Sequence, residues 1–404
     1  MNVLCVLGQH NYGNQARGAG YEYVNFLPAL RNLGHTVSHF ESFSRASYSG
    51  FADMNRRLLQ KVETEKPDLI LFVLLGYEVW LETLELIREG SHAVLLNWST
   101  DDSWKYDQFS RFIAQAFDVY VTTYDEATVK AERDGHGNFL LSQWAASSST
   151  LQLPLPAQQC QYQVTFIGTC YGNRPQWVAD LVAQGIQVEC FGFGWPNGPV
   201  AAERIPQIIR SSVISLNFGD SGLQWKGFIP GRSRQVKARL FEVPGAGGFL
   251  MTETADGLTQ YFVPDQEVVT FDGLTDLVEK IRYYLRNLEQ RDRIALAGHG
   301  RTAREHTYEA RFLPLLSAAS GLPRRQALKP MDMERFEAIA TNHQAGPLLM
   351  CLRKIMLLPC VLLWGKSRGP RAARRILFEV SWRLVGRKTF TANGWPGRLF
   401  FGDS

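Results

Sequence analysis

Residues Lys237–Glu253 read KARLFEVPGAGGFLMTE. The stretch opens with helix formers carrying two cations, Lys237 and Arg239, and one carboxylate, Glu242. A Pro-Gly-Ala-Gly-Gly break follows at 244–248, then a short apolar strand, Phe249-Leu250-Met251. Pro244 lacks a backbone donor, and Gly247 and Gly248 let the chain turn and approach a ligand closely. A glutamate on a helix beside such a turn can hydrogen-bond two adjacent hydroxyls, as on a ribose, while cations nearby face phosphates. Lys237 and Arg239 are two residues apart and so do not share a helix face. Lys237, about one turn before Glu242, is the better placed for a phosphate. On residue types alone, an ordinary helix–turn–strand joint with solvated charges fits as well.

On both sides the chain alternates strand and helix patterns. Asn2–Leu7 is an apolar run ending at Gly8, which predicts a buried parallel strand feeding a loop. A helix is expected from Ala16 to Leu33. Strands are expected at Val37–Phe40, Leu69–Leu74, Ala93–Asn97 and Val119–Thr123, with helical stretches between them. Ser147–Gln159, rich in Ser, Pro, Leu and Gln, reads as a linker. A second alternation runs from Gln163 to Ala297. Such alternation predicts α/β architecture with parallel sheets covered on both faces. The boundaries expected are residues 1–148, 160–322 and a tail from 330 to 404. Ligands of such sheets sit beyond the carboxyl ends of the strands, which draws attention to His10, Asn97, Asp101 and Asp102.

Phe241, Glu242, Gly247, Gly248, Phe249, Thr252 and Glu253 resemble a pattern of the glycosyl transferase-like domain in the spore maturation protein CgeB family, a relative of retaining group 1 glycosyltransferases. Val164–Thr169 with Tyr171–Arg174, Ser215–Gly219, Tyr261-Phe262 before Glu267–Val269, and Glu305–Tyr308 with Arg311 extend the likeness. The likeness is firm after residue 160 and looser before it. It implies a GT-B fold, two Rossmann-like domains facing a cleft, and transfer of a sugar from a nucleoside diphosphate sugar to an acceptor hydroxyl. Glu242 would meet the donor ribose. Related enzymes often carry another glutamate at the position of Arg234, so this chain departs from the full motif there. Two other functions fit the same fold: a non-catalytic binding or assembly protein, and a nucleotide-sugar epimerase.

The donor side is expected to comprise Gly168, Arg174, Lys237, Arg239, Glu242, Gly247 and Gly248. Arg174 beside a glycine turn and a helix start can cradle phosphate. With cations to balance a leaving diphosphate, neither a metal nor another cofactor is expected. On the acceptor side, Asp101 or Asp102 could orient a hydroxyl or act as a base, and His10 could touch substrate. The alternatives are structural: Ser99–Asp102 capping the helix that follows, and a loop histidine that merely packs.

The 404 residues are 45% hydrophobic and 20% charged, as in a soluble globular chain of about two domains plus extra material. Six cysteines show no C-x-x-C spacing and read as reduced. Residues 1–7 lack a basic leader region, so no signal peptide is expected there. From Ala345 onward eleven cations face two acids, a net of +9; the chain's +4 therefore leaves −5 for the rest. A tail so basic points to a polyanion. Pro347–Trp364 is mostly apolar but contains Arg353, Lys354 and Pro359, which disfavours a spanning helix. Followed by basic stretches, it suits the interface of an anionic membrane through residues 345–390. A helical appendage packed on protein is the alternative, and no nucleic-acid module is present. The expected setting is cytoplasmic, peripheral on the inner face of the membrane, with a glycan, lipid-linked or protein acceptor.

Overall fold

The computed structural model describes the chain except Gly227, Phe228, Arg324, Gln326, Ala327, Leu328 and Ser404; along 220–226, 229–233 and at Asp403 it describes the backbone alone. Two compact units result: Met1–Ser142 with Leu315–Ser404, and Gln143–Pro314.

The first unit is built on a six-stranded parallel sheet: β1 (Asn2–Leu7), β2 (Thr36–Glu41), β3 (Leu69–Phe72), β4 (Val94–Ser99), β5 (Val119–Thr122) and β6 (Phe139–Leu141). The order is β2-β1-β3-β4-β5-β6. Val3–Leu7 are at most 1% exposed, because helices cover both faces of a parallel sheet and leave no polar side. The order reverses between β1 and β3, which creates a switch point where the loops after these strands diverge.

The helix expected from Ala16 begins instead at Tyr21. Residues 11–17 form two 3-10 turns, since Asn11 Nδ2 donates to the carbonyls of Arg17 (3.1 Å) and Ala19 (2.9 Å). Gly13 and Gly18 supply the positive φ angles that close this loop. The polar side chains thus outcompete a helical start.

The second unit holds a five-stranded parallel sheet of β7 (Tyr162–Ile167), β8 (Glu189–Phe191), β9 (Ser212–Asn217), β12 (Leu250–Glu253) and β13 (Val269–Phe271). Its order is β13-β12-β9-β7-β8, with the reversal between β7 and β9. An antiparallel hairpin, β10 (Asp220–Lys226) and β11 (Ile229–Arg234), is inserted after β9. The linker-like segment packs on this unit: the Ala157 N–H donates to Asp292 Oδ1 at 3.0 Å. Arg291, fully buried, ties the two regions together by donating to the carbonyls of Leu155, Ser212 and Val213. Three charge-assisted bonds satisfy a cation that would otherwise be costly to bury.

The tail returns to the first unit. Pro347–Val385 is broken at Gly365, which has φ 75° and ψ 171°. The two arms, 347–364 and 366–385, pack together: Val361 Cα lies 2.6 Å from where a Cβ on Gly369 would stand. Leu349, Met356, Leu357 and Cys360 of the first arm meet Ala372, Ala373 and Leu377 of the second and the helix Trp395–Leu399. Phe378 then anchors the second arm against Tyr77 at 5.9 Å.

Candidate active site

In the second unit, Gly168 ends β7, and the loop beyond it leads to the helix Arg174–Ala183. Arg174 Nη1 donates to the Thr169 carbonyl at 3.0 Å, and its guanidinium lies 4.3 Å from the Tyr171 ring. The indole of Trp195 donates to the Gly168 carbonyl at 2.8 Å. Lys237 lies in the turn before the helix Arg239–Gly245, where its carbonyl accepts from the Leu240 N–H. Arg239 and Glu242 pair at 2.9 Å across one helical turn. The crossover helix runs back along the sheet, so its start and the loop after β7 both lie at the carboxyl edge, beside the β7/β9 reversal. Ligand sites of open α/β sheets form at such reversals.

Gly247 and Gly248 form a tight turn after the helix Arg239–Gly245. A Cβ on Gly247 would stand 2.5 Å from the Gln152 carbonyl oxygen, and its φ is +80°. A Cβ on Gly248 would stand 2.5 Å from Ile209 Cγ2. The chain's own atoms occupy both spaces, so no side chain fits at either position. Arg234 forms an ion pair with Asp272 at 2.9 Å.

In the first unit a cavity of about 490 Å³ opens at the switch point, and its wall includes Tyr12, Arg45, Glu78, Asp101, Lys105 and Arg374. Asp101 sits at the N-cap position of the helix Asp102–Lys105, yet its side chain caps no amide. Its carboxylate is 43% exposed and lies 3.9 Å from Lys105 Nζ. It therefore remains available to a ligand.

Asp102, expected as an alternative catalytic carboxylate, is not at the cavity. It is 1% exposed, accepts a 2.7 Å bond from Ser99 Oγ, and also accepts from Ser110 Oγ, to which the Tyr120 hydroxyl donates. Burial pushes its carboxyl above the ordinary carboxylate value. The residue that looked equivalent to Asp101 thus knits β4 to the helices beside it. His10, in the loop after β1, bridges Ala19 through its backbone, and its Nδ1 has no hydrogen-bond partner among the described residues.

Glu22, which the sequence pattern passed over, lies on the first turn of the helix Tyr21–Asn32. Burial raises its carboxyl above the ordinary value; Asp101 adds to the rise, while Lys105 and a backbone amide oppose it. A carboxylate one residue into a helix reads as dipole compensation, so only the fold reveals its coupling to Asp101. Among the described residues no group of three or more His, Cys, Asp or Glu side chains is placed to hold a metal ion. The cysteines are unpaired.

Residues 174–317 match the model of a family described as glycosyl transferase-like. Comparison with curated proteins gave no significant match. Among solved structures, the chain is similar to HepE from Anabaena in complex with UDP-glucose: TM-score 0.53, 11% identity, 79% of this chain and 100% of that one. It is similar to sucrose-phosphate synthase from Thermosynechococcus elongatus, with TM-score 0.54, 11% identity and 78% and 98% coverage. A glycosyltransferase from Rickettsia africae gives 0.54, 10%, 79% and 98%. The fold is the GT-B fold of glycosyltransferases, two Rossmann-like units with a helical C-terminal extension.

Proposed function

We propose that the protein is a glycosyltransferase that moves a sugar from a nucleoside diphosphate sugar to an acceptor hydroxyl. What supports this reading is the segment matched as glycosyl transferase-like, 174–317, which contains Arg174, Lys237 and Glu242, together with the GT-B fold. Glu242 holds the donor ribose. Arg174 and Lys237 balance charge on the leaving diphosphate, so a metal ion is not needed. The bond from the anomeric carbon to the diphosphate oxygen breaks and the bond to the acceptor oxygen forms. Asp101 orients the acceptor hydroxyl or takes its proton. The complexes of HepE with UDP and UDP-glucose favour uridine donors for the first trials. Kinship with the CgeB-like family, from the residues of the 237–253 segment, favours retention at the anomeric carbon and a hexose as the sugar.

We further propose that the enzyme works at the cytoplasmic face of a membrane, in the synthesis of an envelope or surface glycan. In support, Leu348, Leu352, Ile355, Leu358, Leu362 and Leu363 recur at helical spacing along 347–364 and are 37–86% exposed. By length and composition Pro347–Phe390 could cross a membrane. The break at Gly365 and the packing of its two arms favour a helix lying in the interface instead, with the exposed Lys366, Arg368 and Arg371 toward lipid phosphates. Incubation with labelled UDP-sugars, with and without membrane lipids, tests the activity. Labelled product that needs an acceptor is expected; donor isomerisation without acceptor would mark an epimerase, and no turnover with any donor would leave a binding protein.

A further inference from the structure

The switch-point cavity of the first unit has an unusual cationic wall. Arg45, following β2, donates from Nη1 to the Ser42 carbonyl at 2.8 Å, and its guanidinium rests 4.8 Å from the Phe51 ring. Among the described residues its Nε is buried with no hydrogen-bond partner, and so is the Nε of Arg374 on the second arm of the tail. Burial lowers the pKa of Arg45, Glu78 opposes, and Arg374 adds to the lowering. Arg375 lines the same wall. None of Arg45, Arg374 and Arg375 is ion-paired among the described residues.

Each acid of the cavity has a neighbour other than Arg45, Arg374 and Arg375. The Glu78 carboxylate accepts the Leu75 N–H at 2.5 Å, Asp101 faces Lys105, and Glu379 is held by the Trp382 indole at 3.0 Å and by Arg383. Two buried donors without acceptors, on arginines brought together from different parts of the chain, are costly unless an acceptor arrives. Forked guanidinium donors match phosphate oxygens. Arg374 and Arg375 also belong to the arm that folds against the exposed apolar helix 347–364, so a group bound here lies on the same structural module as the lipid-facing stripe.

We propose that this cavity is the acceptor subsite and that it binds a phosphate or diphosphate group, the one that links the acceptor to a lipid. The acceptor role rests on the sugar-transfer reading above; anion binding by Arg45 and Arg374 does not. The tail is then part of the substrate site, not only a tether.

The test uses the full chain and two probes, farnesyl diphosphate in detergent and inorganic diphosphate, with titration calorimetry on the wild type, Arg45→Gln, Arg374→Gln and Arg375→Gln. The last lies on an exposed position and guards against a folding defect. Farnesyl diphosphate is expected to bind the wild type and to lose at least tenfold in affinity in Arg374→Gln and in Arg45→Gln, and several-fold in Arg375→Gln. Weaker binding of inorganic diphosphate with the same arginine dependence supports the lipid as its source. Equal affinity for both probes would overturn the lipid link. Affinity unchanged in all three variants, or no binding of either probe, would overturn the site. UDP-sugar binding by the wild type separates the two ideas: a wild type that binds farnesyl diphosphate but no UDP-sugar defeats sugar transfer, and one that binds a UDP-sugar but not farnesyl diphosphate defeats this subsite.

Discussion

Arg239 and Glu242 are joined by a 2.9 Å ion pair across one turn of the helix that starts at the carboxyl edge of the second sheet. Both side chains are about a fifth exposed, so the pair itself contributes only about 0.2–1 kcal/mol. Its consequence is positional: the carboxylate proposed for the ribose is held in place before the donor arrives. Preorganisation of this kind saves ordering entropy at binding. Arg239→Ala leaves the carboxylate but frees it. Donor affinity is expected to fall by less than about tenfold, or 1.4 kcal/mol, with thermal stability almost unchanged. Calorimetric titration of the variant checks this, and a loss as large as that of Glu242→Ala would assign Arg239 to the donor directly.

The two adjacent aspartates should separate cleanly. Asp101→Asn removes an exposed carboxylate and is expected to lower turnover by about 10²–10⁴-fold, the span of a lost general base or positioning group, with the melting temperature kept. Asp102→Ala breaks a buried network with Ser99, Ser110 and Tyr120. It should cost about 1–3 kcal/mol of stability. Turnover and melting measured on both variants decide it; a stable Asp102→Ala with no activity would reverse the two roles.

Histidine 306 gives a pH signature. Its Nε2 donates to the Tyr261 carbonyl at 2.8 Å, and Arg311 Nη2 donates to its Nδ1 at 3.0 Å. Burial, with Arg311 beside it, lowers its pKa from 6.5 to about 4. The folded state therefore binds fewer protons than the unfolded state between those values. Its stabilising share is complete above pH 6.5 and is lost as pH falls toward 4. In a comparison of wild type and His306→Gln, the melting temperature of the wild type is expected to drop more steeply between pH 7 and 5. Parallel pH profiles would show that the ring is not the titrating group.

Much of the architecture was legible because parallel strands buried on both faces tend to be apolar runs, and β1 and β3 are. The β10–β11 hairpin was not, since in Asp220–Arg234 only Leu223–Lys226 alternates apolar and polar, and glycine and proline interrupt the rest. The site was legible in type but not in detail. Asp101 and Asp102 are indistinguishable by composition, and only the packing of Ser110 and Tyr120 assigns one to the interior. That the Gln152 carbonyl bars a side chain at Gly247 depends on a contact 95 positions away, which no local pattern shows. Arg45 and Arg374 are 329 positions apart, so no local pattern could join them.

The apolar stripe predicts membrane association. Replacing Leu348, Ile355 and Leu362, which are 65–86% exposed, by Ser should reduce cosedimentation with anionic vesicles by at least tenfold without lowering the melting temperature. Basic residues near such a surface add about 1 kcal/mol each, so raised salt should weaken binding to anionic vesicles as well. Equal sedimentation of variant and wild type would place the stripe against protein instead.

The central claim is a nucleotide-sugar site built around Glu242. The most direct measurement is thermal stabilisation of the purified chain by UDP-, GDP-, dTDP- and ADP-sugars, on wild type and Glu242→Ala. At a hundredfold excess over Kd, a bound donor stabilises by about 2.7 kcal/mol. One nucleotide class is expected to raise the melting temperature of the wild type and to do so much less in Glu242→Ala. A shift of equal size in the variant, or none with any donor, would contradict the claim.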